Sequence, residues 1–421
     1  MKKLVIYGSK KLKGEQLVQG SKNACLPIIV STILTKGEIT LKRCPILNDT
    51  INICKILTML GCKTKRQKDC LTINTKNLYG FEISQYLMNT MRSSIIFLGA
   101  LLSRCKEAIV YLPGGCEIGK RPIDFHLYAL EKMGVEIKQT NQKLHCKVKE
   151  KNLKGAKIFL SFPSVGATEN IIIAAATAEG TTKIINAAIE PEVEDLCTFL
   201  NCCGAKIKIL KDNKKTIIVE GVEKLHPIEY EIMPDRIVAA TLLSAAAATG
   251  GEIFLKSIKQ KHISHILDVL IAMGCEIKIY NENDIFLKSK KELIAVDRIK
   301  TMPHPGFPTD LQPIVMALSC VAKGTTIFIE TIFENRFLHV QELKKFGAKI
   351  EVKNRVAVTK GVLNLHAANV YATDLRGGAA LIVAALCAKG ISKIYNIPYI
   401  DRGYETIEDQ LSNLGANIFR K

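Results

Sequence analysis

The chain has no Cys-x-x-Cys pair and no Cys/His cluster at metal-ligand spacing, although it carries 14 cysteines. That excludes the usual zinc and dithiol motifs. Most of the cysteines, such as Cys25, Cys54, Cys197, Cys320 and Cys387, sit among apolar residues in helical stretches and read as small core hydrophobes in a reducing cytoplasm. His262 and His265 share a predicted helix face without further ligands and read as a surface pair, so no metal site is expected. No stretch reaches the roughly 18 continuous apolar residues of a membrane span, which argues against membrane insertion. The start, Met1-Lys2-Lys3-Leu4-Val5-Ile6-Tyr7-Gly8, reads as a strand and turn and not as a signal peptide, in keeping with a cytoplasmic protein. Long polybasic runs are missing, and basic residues do not alternate with aromatics, which weakens the case for a nucleic-acid partner. What remains is a formal charge of +19 on 421 residues. An acidic lipid surface, a phosphorylated small molecule or a nucleic acid fits that charge, and so does a lysine-rich composition on solvated faces.

What is present is a repeat. Six times a predicted helix ends on a glycine followed by a short strand: Leu60-Gly61-Cys62, Met133-Gly134-Val135, Cys203-Gly204-Ala205, Met273-Gly274-Cys275, Phe346-Gly347-Ala348 and Leu414-Gly415-Ala416. The glycines lie 73, 70, 70, 73 and 68 residues apart. Such a glycine suits a left-handed helix C-cap, and the even spacing predicts six related βαβαβ-type units in an α/β chain. Two domains of three units each are the natural division. In each unit the first helix is apolar nearly all round, as in residues 94–102, 170–177, 237–248, 311–322 and 379–388. The second is amphipathic, as in 122–133 and 402–414. A helix apolar on every side is buried on every side, so three such helices would fill each interior. The sixth unit lacks a closing strand, and residues 4–7 are available to supply it. The predicted domains are therefore 22–233 and 1–21 together with 234–421. Two chain crossings near residues 21 and 233 suit a hinge with a site in the cleft between lobes.

The repeat breaks its own rules at a few places. First helices begin beside Lys22-Asn23, Arg92, Asp235-Arg236 and Asp374-Leu375-Arg376. Cations are unfavourable at a helix N-terminus, so their recurrence points to an anion held by amides and cations together. The fifth unit has Pro308-Thr309-Asp310 instead, where Asp310 reads either as an N-cap or as a proton acceptor facing cations. From strand end to glycine the separations are 19, 22, 17, 18, 17 and 18, so the second unit has the longest loop. It reads Pro113-Gly114-Gly115-Cys116-Glu117-Ile118-Gly119-Lys120-Arg121-Pro122. Cys116 lies outside any apolar periodicity and beside Lys120 and Arg121, the setting in which a thiol becomes reactive. A second such loop is Ile400-Asp401-Arg402-Gly403-Tyr404-Glu405.

Taken together these motifs resemble the enolpyruvyl transferases, in particular those acting on UDP-N-acetylglucosamine. The likeness runs the full length. It rests on Gly20-Ser21-Lys22-Asn23-Ala24, Met91-Arg92-Ser93-Ser94, the Cys116 loop, Ser164-Val165-Gly166-Ala167-Thr168, Pro303-His304-Pro305 with Phe307-Pro308-Thr309-Asp310, residues 330–336, Ala372-Thr373-Asp374-Leu375-Arg376 and Asp401-Arg402-Gly403-Tyr404. The resemblance implies a two-domain inside-out α/β barrel that closes over substrate. It implies transfer of enolpyruvyl from phosphoenolpyruvate to a sugar 3′-hydroxyl through a tetrahedral ketal, with no metal or organic cofactor. By the same resemblance Lys22, Asn23, Arg121 and Arg402 bind phosphoenolpyruvate, matching oxyanions with cationic donors. Cys116 is the acid for the enol carbon, Asp310 accepts the hydroxyl proton, and Asp374 assists proton transfer. The nucleotide sugar would contact Arg92, Arg121, Pro122, Ile123, Asp124, Phe125, Phe162, Pro163, Ser164, Val165, Asp310 and Ile332.

Two positions depart from the pattern. Phe162 stands where some relatives carry lysine, and Glu117 follows the reactive cysteine, where its charge opposes thiolate formation. An enzyme acting on shikimate 3-phosphate would share the fold and the donor clamp but not the loop cysteine. A non-catalytic binder of anions or RNA ends of the same architecture is the alternative from a different class. None of the eight histidines stands in a nucleotide-activating motif.

Overall fold

A computed structural model describes residues 2–112, 118–119, 122–210, 212–290 and 292–421. Within them the chain forms two compact bodies, one from 20–112, 122–210 and 212–233, the other from 2–19, 118–119, 234–290 and 292–421. Each has its own apolar core.

Every one of the six repeat glycines has a positive φ, from 83° at Gly415 to 102° at Gly204. A side chain there would be strained, which is why glycine recurs. The N–H groups of Cys62, Ala205, Cys275 and Ala416 each reach back five residues, to Leu57, Leu200, Leu270 and Leu411 at 2.9–3.0 Å. That is the Schellman closure, and it turns the chain out of its helix directly into the next strand.

The body of residues 20–233 holds three sheets. In the first, the strand order is Glu229–Glu231, Glu38–Lys42, Cys70–Asn74, Lys63–Gln67; in the third it is Lys157–Phe159, Thr181–Ile185, Ile217–Glu220, Lys206–Ile209. In both, the first strand named runs parallel to its neighbour and the others pair antiparallel. The second sheet, Glu107–Tyr111, Lys143–Val148, Val135–Thr140, has only a parallel bridge from Glu82 to Ile109 in that first place. The other body repeats the plan. Its sheets run Lys13–Leu17, Glu252–Lys256, Asp284–Lys288, Glu276–Tyr280; then Arg298–Lys300, Thr325–Ile329, Val356–Lys360, Lys349–Lys353; then Asn369–Tyr371, Ile391–Tyr395, Leu4–Tyr7, Asn417–Arg420. In the last of these, Leu4–Tyr7 takes the third place, which elsewhere belongs to the unit's own final strand, and pairs antiparallel on both sides.

Inside each body three helices pack on one another. They are Lys22–Ser31, Phe97–Cys105 and Val165–Ala175 in one, and Arg236–Thr249, Gln312–Ser319 and Leu375–Cys387 in the other. Every residue of Gln312–Ser319 is buried, as is every residue from 236 to 247 and from 376 to 386. Each fully buried Leu or Ile contributes about 1.5–3 kcal/mol. The second helices are one-sided: Gln260–Ala272 buries Ile263, Ile266, Leu267 and Leu270 and exposes Ile271. His262 lies on that buried side, so it is a core residue and not half of a surface pair. His265 instead faces the ring of His304 at 6.4 Å. In the sixth unit the second helix spans Ile407–Asn413, shorter than the sequence suggests. Residues 401–404 form a turn after the short helix Ile397–Ile400, tied down by side chains described below.

The strand alternation at the N-terminus is directly testable. Ile6 is fully buried and Tyr7 is 38% exposed. Ile6→Ala is expected to cost about 2–4 kcal/mol in urea unfolding, and Tyr7→Ala much less. Equal costs would mean the register is wrong.

Candidate functional site

In the body of residues 20–233, chemistry gathers where the inner helices start. Ser21 caps the first of them, accepting from the Ala24 N–H at 3.3 Å. Lys22 follows, buried, with its Nζ 3.0 Å from Oδ2 of Asp49 in the first turn of Asn48–Met59. Burying an ammonium is costly unless it is paired, so Asp49 is what allows Lys22 to sit there. Asn23 is half-buried beside it. Arg92 opens the turn Arg92–Ile96, which is pinned by the Ser94 hydroxyl donating to the Met91 and Met88 carbonyls at 2.7 and 3.0 Å. Ser164 caps Val165–Ala175 by accepting from the Ala167 N–H at 3.4 Å. Phe162 is exposed, and Pro163 is half-buried. Ile123 is the N-cap residue of Asp124–Lys132; Pro122 and Asp124 are exposed and Phe125 half-buried.

One buried histidine joins these starts. His126 pairs through Nδ1 with the Asn170 amide at 2.9 Å, and Asn170 in turn accepts from the Gly99 N–H at 2.8 Å. Burial, and secondarily the charge of Arg92, pushes its pKa down to about 4, so the ring is neutral.

In the other body the corresponding place is a network of buried charge. Asp310 does not cap a helix: Gln312–Ser319 starts two residues later, after Leu311. Its carboxylate instead accepts from Arg376 through Nε and a terminal nitrogen at 3.1 and 3.0 Å, and from Arg336 at 3.3 Å. Arg336 also donates to the Thr309 carbonyl at 3.1 and 3.2 Å and to Asp374 at 3.4 Å. Asp374 caps Leu375–Cys387, accepting from the Arg376 and Gly377 N–H groups at 3.0 Å each. Burial works against the charge of Arg376, but the carboxylate of Asp310 more than offsets it and its pKa is raised. The guanidinium lies 5.6 Å from the centre of the Tyr404 ring, and the Tyr404 hydroxyl pairs with Thr241 at 2.9 Å. Glu330 accepts from the Thr309 hydroxyl at 3.1 Å and from the Ile332 and Phe333 N–H groups at 2.8 and 3.1 Å, which fixes the turn carrying Ile332. Arg402 is half-buried in a turn whose neighbours are both held: Asp401 by two bonds of 2.8 Å from Arg420, Tyr404 by burial and Thr241.

A family profile described as EPSP synthase (3-phosphoshikimate 1-carboxyvinyltransferase) matches residues 6–411. The chain is 47% identical over 420 residues to UDP-N-acetylglucosamine 1-carboxyvinyltransferase 2 of Caldanaerobacter subterraneus subsp. tengcongensis, covering all of both chains. The chain belongs to the enolpyruvyl transferase family. It is 45% identical over 424 residues to UDP-N-acetylglucosamine 1-carboxyvinyltransferase 1 of Clostridium perfringens, again over the whole of both. Among solved structures it superposes on the enolpyruvyl transferase NikO from Streptomyces tendae with a TM-score of 0.88 at 23% identity, over 100% of this chain and 99% of that one. EPSP synthase from Acinetobacter baumannii gives 0.77 at 19% identity over the full length of both. At those identities the two structural likenesses concern the α/β fold.

Of the residues singled out from sequence, Lys22, Asn23 and Arg92 belong to one body, and Asp310, Asp374, Ile332 and Arg402 to the other. Cys116 and Arg121, with Glu117 and Lys120, lie outside the described residues. Asp49, His126 and Arg336 are the participants that sequence reasoning gave no role, and Arg376, read there as one of the cations around an anion, is paired with the carboxylate of Asp310. Among the described residues no group of three or more His, Cys, Asp or Glu side chains is arranged to hold a metal ion. Burial pushes the thiols of Cys54 and Cys62 up to about 11, and those of Cys146, Cys197, Cys203, Cys320 and Cys387 up to about 12, so they stay protonated near neutrality.

The neutral His126 makes stability depend on pH. Between its ordinary value of 6.5 and about 4, the unfolded chain takes up a proton that the folded chain refuses. The stability it leaves intact above pH 6.5 is therefore lost as pH falls through that window, by roughly 1.4 kcal/mol per unit. Urea titrations of the wild type and His126→Gln should diverge on that acid limb; parallel profiles would show that the ring is charged in the fold.

Proposed function

We propose that this protein transfers the enolpyruvyl group of phosphoenolpyruvate to the 3′-hydroxyl of UDP-N-acetylglucosamine and releases phosphate, the first committed step of peptidoglycan synthesis. The observation that carries this reading is full-length identity of 44–47% to relatives bearing that activity in their names. The residue chemistry supports it. Lys22 offers an ammonium held at a fixed place, and Arg402 a guanidinium on a turn held at both ends, suited to a donor with a phosphate and a carboxylate. We propose that both act on that donor together with Asn23 and Arg121. Asp310 is the carboxylate assigned to accept the sugar hydroxyl proton, and its guanidinium partners hold it at a fixed orientation. Cys116 is assigned to protonate the enol carbon as the sugar 3′-oxygen bonds to the adjacent carbon, giving a tetrahedral ketal. Phosphate then leaves with loss of a proton from the new methyl group, which restores the double bond. Asp374, held as a cap and by Arg336, is assigned to assist in proton transfer. Arg92, Pro122, Ile123, Asp124, Phe125, Phe162, Pro163, Ser164, Val165 and Ile332 are assigned to the nucleotide sugar. No metal or organic cofactor enters the scheme.

The same reading takes the six sheets as six repeats of an inside-out α/β barrel, and takes 22–233 and 1–21 with 234–421 as the two domains of a cytoplasmic enzyme. A shikimate-type acceptor is the second reading, favoured by the family description that matches residues 6–411. Phosphate release separates them. It is expected only when phosphoenolpyruvate and UDP-N-acetylglucosamine are both present, and to fall by about 10²–10³ in Arg402→Ala, as for loss of a charged donor aimed at the transition state. Release with shikimate 3-phosphate in place of the nucleotide sugar would overturn the acceptor assignment.

The thiol assignment has a separate check. An epoxide phosphonate such as fosfomycin should alkylate Cys116, with the rate altered by the nucleotide sugar. Peptide mapping that put the label on Cys202 or Cys203 and left Cys116 free would defeat it.

A further inference from the structure

The fifth sheet has an outer face that combines cations with exposed β-branched side chains. Its register puts Lys300, Ile329, Val356 and Lys353 in one row and Arg298, Ile327, Val358 and Glu351 in the next, with Thr325, Lys360 and Lys349 beyond. Residues opposite one another in register share a face. The alternate set, Ile299, Phe328, Ala357 and Ile350, is buried in the core. The outward face therefore has four β-branched residues at its centre, five cations around them and one acid. Ile327, Val356 and Val358 are 38–39% exposed there.

On the first, second and fourth sheets several outward lysines are matched by acids, whereas on the third Lys157, Lys183 and Lys206 also stand without an ion pair among the described residues. On the first sheet Lys42 pairs with Glu229; on the second Lys143 pairs with Glu82 at 3.3 Å; on the fourth Lys256 pairs with Glu15 at 2.9 Å and Lys288 with Glu252 at 3.6 Å. Among the described residues no ion pair engages Arg298, Lys300, Lys349, Lys353 or Lys360. Five uncompensated cations repel one another, and the valine and isoleucine between them stay in water, unless something anionic and partly apolar meets them.

We propose that this face docks on a membrane surface carrying anionic lipid headgroups. Each cation near such a surface strengthens binding about fivefold, and the apolar centre gains by leaving water at the headgroup boundary. The face offers no aromatic ring on which a nucleic-acid base could stack, and its apolar centre would lie against phosphates, which disfavours that partner. The docking is peripheral and needs no membrane-spanning helix, of which the described residues contain none.

Co-sedimentation of the full chain with phosphatidylcholine vesicles, with and without phosphatidylglycerol, tests this. Binding is expected only with phosphatidylglycerol and should weaken with salt. Lys300→Glu, Lys349→Glu and Lys353→Glu combined should lower vesicle affinity on the order of a hundredfold, from about fivefold per cation, with phosphate release unchanged. The corresponding glutamine triple, gentler on the fold, should lose affinity in the same direction. Reversing Lys157, Lys183 and Lys206 on the third sheet alters net charge equally and should leave binding largely in place. Equal loss from both triples, no binding to phosphatidylglycerol, or a single-stranded oligonucleotide captured in preference to vesicles through the same lysines would each overturn the proposal.

Discussion

A helix buried on all sides can present chemistry only at its ends. This constraint organises both bodies. Three inner helices in each are buried around nearly their whole circumference, so most of their chemistry stands at and just before their first turns. Polar residues farther in, such as Asn170 and Thr241, are tied up by buried partners. Lys22, Ser164, Asp235, Asp310 and Asp374 all stand at such starts. The positive end of the helix dipole and the unpaired amides favour anions there, so the architecture gathers anion-binding capacity without a dedicated loop. Two of those starts, at Asp235 and Asp374, are satisfied by their own cap carboxylates. Their following arginines, Arg236 and Arg376, are buried cations that must be compensated from elsewhere.

That compensation explains the second tier of the structure. Leaving a buried charge without its partner typically costs 3–5 kcal/mol, far more than an exposed ion pair contributes. Arg336 and Arg376 each sit in a shell that supplies carboxylates: Asp310 to both, Asp374 to Arg336. The result is a rigid lattice in which no member can be re-aimed without exposing another. Asp310 is therefore held in one orientation, as the proton abstraction proposed for it would require. Lys22 and Asp49 repeat the arrangement on a smaller scale.

The sequence made the periodic features legible because each has a local cause. A glycine at positive φ after a helix, an apolar circumference and a loop longer than its counterparts can all be read one residue at a time. The network could not be read in this way. Pro308-Thr309-Asp310 has the composition of a helix cap, yet the helix begins later and Asp310 is drawn away by Arg336 and Arg376, the latter 66 positions distant in the chain. Asp49 has the ordinary appearance of an acid in a first helical turn. His126 belongs to a one-sided helix where a histidine suggests a wet edge; only the fold places Asn170 against it. The misreading of His262 has the same origin, since its neighbours Ile263 and Ile266 set the inward side of that helix. Pairings across long stretches of chain are decided by packing, and one chain gives no direct signal of them.

The strand at residues 4–7 has a further consequence for how the molecule is made. It lies between strands at 391–395 and 417–420, with Leu4 opposite Arg420. That strand must stay unpaired until residues 391–395 and 417–420, far along the chain, have been synthesised. The body of 20–233 has all of its strands in hand long before that, so the chain is built to acquire structure from its middle outward. The apolar segment Leu4-Val5-Ile6 waits with open backbone groups until those partners are made. Ring closure of this kind ties completion of one body to arrival of residues 417–420, and a product stopped before them would carry an orphaned strand prone to pair with another chain.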